Sequence, residues 1–393
     1  MSSSKSLFDN VIWALLNRKL GPFKMALKKS RKLHKYAKRG GCVFSHFLER
    51  KRRLKENKLR TLQDEYQDVR ITKKRDKNVR KREMRYAIIG TGAIGAYYGG
   101  LLAKAGKEVH FLLRSDYEHV KANGLQVNSC DGNYHLNNIR AYRSTEEMPV
   151  CDVVIVAMKT TSNAKLPEML RPIVNDHSLI LLIQNGIGME EDLCKAMPEA
   201  QIMGGVAYIC TLKTAPGCIT HMSNGLLLVG NYSCKDQERL ALMMSEFAES
   251  KIKSKEMEFY EMRWKKAVWN MPFNGMTAAT GARTAGDLLR REPMVKTIRK
   301  MMTEVINAAK ACGARNVDED YAEQMMTMTR NMPAFASSMK FDFDHHKALE
   351  LHYLYQRPIM EAERHGCPMP LLTMLAAQLD FMNEQNIDIL NTK

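Results

Sequence analysis

Three things the chain has little of narrow its reading before any motif is considered. Apolar runs are short: Val153 to Met158 and Leu179 to Ile183 are strand-sized, far below the roughly 20 residues that a membrane-spanning helix needs. The 9 cysteines form no C-x-x-C pair and no Cys/His cluster at zinc-ligand spacing, which argues against a disulfide framework or a structural metal and for a reduced, intracellular chain. Basicity is absent from most of the molecule. The formal net charge is +17, yet residues 1 to 83 hold 26 Lys and Arg against 8 Asp and Glu, leaving 34 against 35 beyond them. A near-neutral body offers no electrostatic footprint for a polyanion and suits a small-molecule enzyme.

What is present begins with length. At 393 residues the chain exceeds one ordinary core, so two packed domains and an extra segment are expected. The boundaries read as a basic extension over 1–83, a dinucleotide-binding domain over 84–257 and a helical substrate domain over 258–393. The extension carries basic runs at 28–39, 50–60 and 73–82 with scattered Leu and Tyr, and reads as a solvated segment, partly helical or disordered. A tether to nucleic acid or an acidic surface and an organelle transit peptide stay open as alternatives. Acids such as Asp9, Glu49 and Asp64 speak against the transit reading. Met84 stands directly before the first strand, so a start assigned too early is a further explanation.

Residues 85–89 (RYAII) form a short apolar strand, and Gly90-Thr91-Gly92-Ala93-Ile94-Gly95 follows at once and opens a helix. In that context G-x-G-x-x-G is a dinucleotide loop. Gly90 allows the tight turn, Gly92 lets backbone approach a pyrophosphate, and Gly95 lets the helix pack on the sheet. A second strand, Glu108 to Leu113, ends at Arg114 rather than at the Asp or Glu that would accept from a ribose 2′-hydroxyl. A guanidinium there pairs with a 2′-phosphate, which selects NADPH over NADH.

Two further strands, Asp152 to Met158 and Ser178 to Gln184, end at Lys159 and at Asn185-Gly186. Strands of an open α/β sheet present ligands at their C-terminal ends, so Lys159 and Asn185 are expected to face the nicotinamide half of the cofactor and the substrate. Asn185 reads equally as a turn residue, because Asn-Gly tolerates positive φ. Strand-like pieces at 202–211, 217–222 and 225–230, with a turn at Ser223-Asn224-Gly225, predict an antiparallel extension of the sheet.

From about residue 258 the pattern is helical only, with helices expected at 259–280, 287–312, 318–330, 345–365 and 370–383. In the first of these Lys266, Asn270 and Asn274 fall at i, i+4 and i+8 and share one face. Polar groups in a row among Trp264, Val268, Trp269 and Phe273 are costly to bury without a partner, and a polar ligand is one such partner. Pro272 predicts a kink or an interruption near Asn270. No metal site is read from His345, His346 and His352, and the 28 methionines are assigned to core and interface.

Taken together, Gly90 to Gly95, Lys159, Gln184 to Gly188, Trp264-Lys265-Lys266 with Asn270 and Asn274, Ser337-Ser338-Met339 and Glu350 resemble the ketopantoate reductase family, over Met84 to about Leu390. The resemblance implies a Rossmann-type NADP-binding α/β domain followed by an all-helical C-terminal domain. It implies NADPH-dependent reduction of 2-dehydropantoate to pantoate, in pantothenate and coenzyme A biosynthesis. By it, Lys266 is the general acid for the keto oxygen and Glu350 hydrogen-bonds the substrate or that lysine. Ser338, Asn270 and Asn274 hold carboxylate and hydroxyl groups of the substrate. A cytoplasmic homodimer goes with this reading. Phe335 and His352 depart from the Asn and Asp that some members carry, and an apolar Phe335 in the pocket favours a different or larger 2-keto acid. An NAD(P) dehydrogenase of another substrate type and a non-catalytic NADP-binding sensor are the competing functions.

Overall fold

The computed structural model describes residues 83–332 and 334–391; the calls made on the basic extension lie outside them. Ten strands form one sheet: β1 (Arg85–Ile89), β2 (Glu108–Leu112), β3 (Leu125–Ser129), β4 (Tyr134–Leu136), β5 (Arg140–Tyr142), β6 (Val153–Val156), β7 (Leu179–Leu182), β8 (Gln201–Ala215), β9 (Cys218–Asn231) and β10 (Ser254–Glu256). Their order is β4-β3-β9-β8-β7-β6-β1-β2-β5, with β10 alongside β9.

The run β5-β2-β1-β6-β7-β8 is parallel throughout and follows the doubly wound order of a Rossmann sheet, which reverses direction between β1 and β6. Ligands bind at that reversal, beyond the strand C-termini. Alternation along β1 sends Ile88 into the core on one face, with Phe111 and Ile155, and Ala87 and Ile89 into the core on the other, with Val154 and Leu182.

The helices of this half are α1 (Ala93–Lys104), α2 (Tyr117–Asn123), α3 (Leu166–Leu170), α4 (Met189–Ala196) and α5 (Gln237–Glu249). The remainder is helical: α6 (Phe259–Thr280), α7 (Ala285–Leu288), α8 (Glu292–Ala311), α9 (Glu319–Asn331), α10 (Ser338–Asp344), α11 (Arg357–Arg364) and α12 (Pro370–Asn391). Their core gathers Trp264, Val268, Met271 and Phe273 of α6 with Ile298, Met302 and Ile306 of α8 and Leu375 of α12. Among the described residues no helix is long and apolar enough to cross a membrane.

Several expectations change in detail. The two pieces at 217–222 and 225–230 are one strand, β9, and the chain reverses at Pro216-Gly217 instead, where Gly217 has φ 65°. Asn224 (φ 70°) and Gly225 (φ 106°) form a bulge inside β9, because Tyr208 pairs with Leu226 while Ile209 pairs with Asn224. The helix expected at 287–312 is split, since Pro293 favours the first turn of a new helix, α8. The helix expected from 345 starts only at Leu351, preceded by an extended segment that holds Glu350.

Pro272 does not interrupt α6, which continues to Thr280. Proline inside a helix costs about 3 kcal/mol. Burial of Met271 and Phe273 on either side of it offsets a loss of that size, since each buried side chain of this class contributes roughly 1.5–3 kcal/mol. The Tyr355 hydroxyl also donates to the Met271 carbonyl at 2.6 Å, supporting the turn from outside.

Candidate active site

The loop after β1 meets each steric demand of a dinucleotide turn. Gly90 takes φ 95°, and a Cβ there would collide with the backbone of Met158; a Cβ on Gly95 would collide with the Gly90 carbonyl. Gly92 is different, because a Cβ there would meet nothing within 4 Å. That open side faces the start of α1, whose N-cap, Gly92, supplies no side-chain hydrogen bond. The first N–H groups of the helix, beginning with Ala93, are therefore free to receive an anion. The Thr91 hydroxyl is committed to the Leu112 carbonyl at 2.8 Å, tying the loop to the end of β2, and Ile94 packs on the sheet core. Arg114, just past β2, is exposed and has no ion-pair partner among the described residues. These residues fit a dinucleotide with a 2′-phosphate: donors for the pyrophosphate, space above Gly92 and an unspent guanidinium.

Past β6, Lys159 projects toward the helical half. Its Nζ donates to Asp342 at 2.6 Å and to Glu350 at 3.0 Å. Glu350 also accepts from the backbone N–H of Thr160 at 2.8 Å and from its hydroxyl at 2.9 Å. Burial opposes the lysine's charge, but the Glu350 and Asp342 carboxylates outweigh it and hold its pKa above the ordinary value. The structure thus places Glu350 on Lys159 and Thr160, and Lys159 on two carboxylates.

On α6 a small cavity is lined by Asn185, Lys266, Asn270 and Tyr353. The Lys266 ammonium has no carboxylate beside it among the described residues. It lies 4.3 Å from the ring centroid of Tyr208 and 5.9 Å from that of Trp269. Burial alone pushes its pKa down to about 8. Lys265 points elsewhere and pairs with Glu261 at 2.7 Å.

Asn274 lies one turn beyond Asn270, buried, and its Oδ1 lacks a hydrogen-bond partner. An unpaired buried amide oxygen is costly unless a ligand completes it. Of the serine pair, Ser337 is buried: it caps α10, and its hydroxyl lies 2.8 Å from that of Thr277. Ser338 is exposed at the start of α10 and outside both cavities. The structure therefore brings together Asn185, Lys266 and Asn270, sets Lys159 with Glu350, and leaves Ser338 apart. A second cavity, of about 290 Å³, is lined by Trp269, Thr284, Leu289, Met332, Phe335 and Ser337.

Residues 86–233 match the family described as ketopantoate reductase PanE/ApbA, and residues 258–383 match the C-terminal part of the same family. A 2-dehydropantoate 2-reductase from Nostoc sp. is 38% identical over 311 residues, covering 77% of this chain and 97% of that protein. The crystal structure of 2-dehydropantoate 2-reductase from Geobacter metallireducens aligns with a TM-score of 0.72 at 35% identity, over 75% of this chain and 99% of that one. The chain belongs to the ketopantoate reductase family. It is an oxidoreductase acting on a 2-keto acid, and ketopantoate reductases are NADPH-dependent. The fold is also shared, at 19% identity and a TM-score of 0.68, by a D-mandelate dehydrogenase solved with NADH and anilino(oxo)acetate.

Residues that carry no sequence motif do much to position the site. Arg263 is buried on α6; it donates to the carbonyls of Gln184 (2.6 Å) and Leu182 (2.9 Å) and pairs with the fully buried Glu190. It fastens the lysine-bearing helix to the end of β7, one turn before Lys266. The available signal was a cation, three residues before Lys266, next to Met262 and Trp264 in a stretch that the pattern buries. Asp342 and Thr160 had no such signal, because the first is one of two acids in its helix and the second depends on where Glu350 falls.

Proposed function

We propose that this chain reduces 2-dehydropantoate to pantoate with NADPH, with Lys266 as the general acid. The observation that carries the reading is an ammonium without a counter-ion among the described residues, its pKa lowered to about 8, in one cavity with Asn185 and Asn270. The cofactor supplies hydride to the keto carbon, and Gly90, Gly92, the α1 N-terminus and Arg114 are the residues suited to hold it. Negative charge then develops on the keto oxygen. Lys266 Nζ stabilises that charge and gives up a proton to it, a transfer that is efficient when the acid's pKa is close to the working pH. The Asn270 amide N–H is suited to donate to the substrate's carboxylate, and the unpaired Asn274 Oδ1 to accept from its hydroxyl. Lys159, Asp342 and Glu350 join the strand end to the helical half across the same cleft, with Glu350 set to orient Lys159 and Thr160 beside the substrate. Ser338 enters this reading only if α10 shifts toward the cleft on binding.

The reading is tested by following NADPH oxidation with 2-dehydropantoate, with NADH as the control. Turnover with NADPH that disappears in Lys266→Ala supports it. NADPH binding without turnover of any 2-keto acid favours the sensor function. A homodimer and a cytoplasmic site of action extend the same reading; light scattering on the purified chain checks the first.

A second substrate class is favoured by a specific observation. The cavity beside Trp269 is lined by Leu289, Met332 and Phe335 together with Thr284, Arg290 and Arg330, space for a side chain larger than that of ketopantoate, with Phe335 among its apolar walls. A panel of 2-keto acids decides: preference for a larger apolar acid, lost in Phe335→Asn, moves the substrate while keeping the mechanism.

A further inference from the structure

Beyond β8 in the strand order, the tip of the β3–β4 hairpin lies against β9. Ser129 pairs with His221 in parallel register, and the next two residues of the turn are Cys130 and Asp131. One ligand-capable atom from each of Cys130, Asp131 and His221 lies within 4.8 Å of the other two. We propose that these three side chains form a binding site for a zinc-like divalent transition-metal ion, with its fourth position open to water.

The geometry suits the ion. The Cys130 Sγ and the His221 Nδ1 are 3.7 Å apart. Two such ligands on tetrahedral zinc, at about 2.3 Å for sulfur and 2.0–2.1 Å for nitrogen, are separated by roughly 3.6 Å. Thiolate, imidazole and carboxylate are the donors that zinc and its neighbours favour, whereas calcium and magnesium require oxygen.

The three groups differ in how firmly they are held. His221 is buried, with its ring 4.4 Å from that of Tyr97. The Ser129 hydroxyl, 2.9 Å from Nδ1, accepts from the backbone N–H of Asp131 at 3.0 Å. The Asn133 side chain accepts from the backbone N–H of Ser129 at 2.8 Å. The turn is therefore set before any ion arrives. Cys130 and Asp131 are exposed and provide the way in.

The competing group is Lys253, whose Nζ lies 3.3 Å from Asp131 Oδ2. Both partners are more than half exposed, and an ion pair of that kind contributes little. The other carboxylate oxygen remains for the cation. An ion here would staple the hairpin to β9. The site escaped sequence spacing rules because His221 is contributed by a different strand, distant along the chain.

The test is cobalt titration of the full chain under reducing conditions. One equivalent should bind with the near-ultraviolet thiolate-to-cobalt charge-transfer absorption, and zinc should displace it. Cys130→Ser, at an exposed position, should abolish that absorption while leaving NADPH-dependent turnover at the parent level, which also shows that the variant is folded. Asp131→Asn should weaken binding at least tenfold, and Lys253→Ala should tighten it. Cys312→Ser is the control, since Cys312 Sγ lies 3.8 Å from His365 Nδ1; the absorption should survive it. No charge-transfer band, or one that persists in Cys130→Ser, would overturn the proposal and leave a thiol–imidazole hydrogen bond.

Discussion

Two of the lysines expected at the site are treated in opposite ways. Lys159, at the end of β6, meets two carboxylates, and its pKa is raised in spite of burial. Lys266, on α6, meets two aromatic rings and no carboxylate, and its pKa falls to about 8. An ammonium held by carboxylates is a fixed brace that keeps its proton. One held only by π faces is poised to lose it. The difference separates the residue that organises the cleft from the one suited to proton transfer.

The sharpest way to break this contrast is to exchange the lysines' consequences. Lys266→Ala should lower kcat by roughly 10²–10⁴-fold, the range for loss of a positioned acid, in a protein that remains folded. Steady-state kinetics with NADPH and the best 2-keto acid checks it. A kcat within a few-fold of the parent would remove Lys266 from the chemistry and return attention to Lys159.

Arg263 sharpens the comparison from the same helix. It is a buried cation that lines the same cavity as Lys266, but its guanidinium is bound to Glu190 and to the carbonyls of Leu182 and Gln184. It pairs with Glu190, whose own carboxyl is pushed up by burial despite the guanidinium beside it. Removing one partner of a buried pair typically costs about 3–5 kcal/mol, because the other charge is stranded. Arg263→Leu should therefore lower stability by that order in denaturant unfolding, and adding Glu190→Leu should recover much of it. If the single and double variants are equally unstable, the pair does not act as a unit.

Lys159→Met tests the brace. It would leave Asp342 and Glu350, both buried, side by side without their shared cation. Because half of the lysine side chain is exposed, solvent screening reduces the penalty to about 2 kcal/mol. Since Lys159 stands between strand end and substrate domain, KM for the keto acid should also rise. Unchanged unfolding and unchanged KM together would show that the two carboxylates do not depend on it. The sign of its titration follows from the raised pKa. The stabilisation is fully present below the unfolded value and is lost only as pH rises through the higher folded one, in the strongly alkaline range.

The legible parts of this molecule were those in which one short segment carries the whole message. Gly90, Gly92 and Gly95 stand in six residues between a strand and a helix, and the turn demands glycine for local steric reasons. Lys266, Asn270 and Asn274 share a helix face, so their side of α6 follows from periodicity alone. The illegible parts depend on where distant segments meet. The family resemblance ties Glu350 to the substrate or Lys266, while its contacts with Lys159 and Thr160, made by the stretch before Leu351, have no local sequence signal. Ser337 and Ser338 are adjacent, and the position of a helix cap decides which one is buried. Asn224-Gly225 carries the residues of a turn, yet in β9 the same positive φ values make a bulge, because the strand continues to pair with β8 on both sides.

The smallest expected effect is the one that most directly opposes the two lysines. Burial lowers the Lys266 pKa to about 8 in the native state, whereas in the unfolded chain the lysine keeps its proton to its ordinary value of 10.5. Between those values the unfolded state binds more protons, so this group makes stability rise with pH across that window, opposite in sign to Lys159. Below pH 8 the native state bears the full cost of the buried charge, at most on the order of 3 kcal/mol. Lys266→Met removes that cost. At pH 7 it should raise Tm by several degrees in the same protein that has lost turnover, and the gain over the parent should shrink as pH climbs toward 10. A variant that melts below the parent at pH 7 would mean that the ammonium's contacts with Tyr208 and Trp269 outweigh its desolvation, and Lys266 would then resemble Lys159 more than it differs from it.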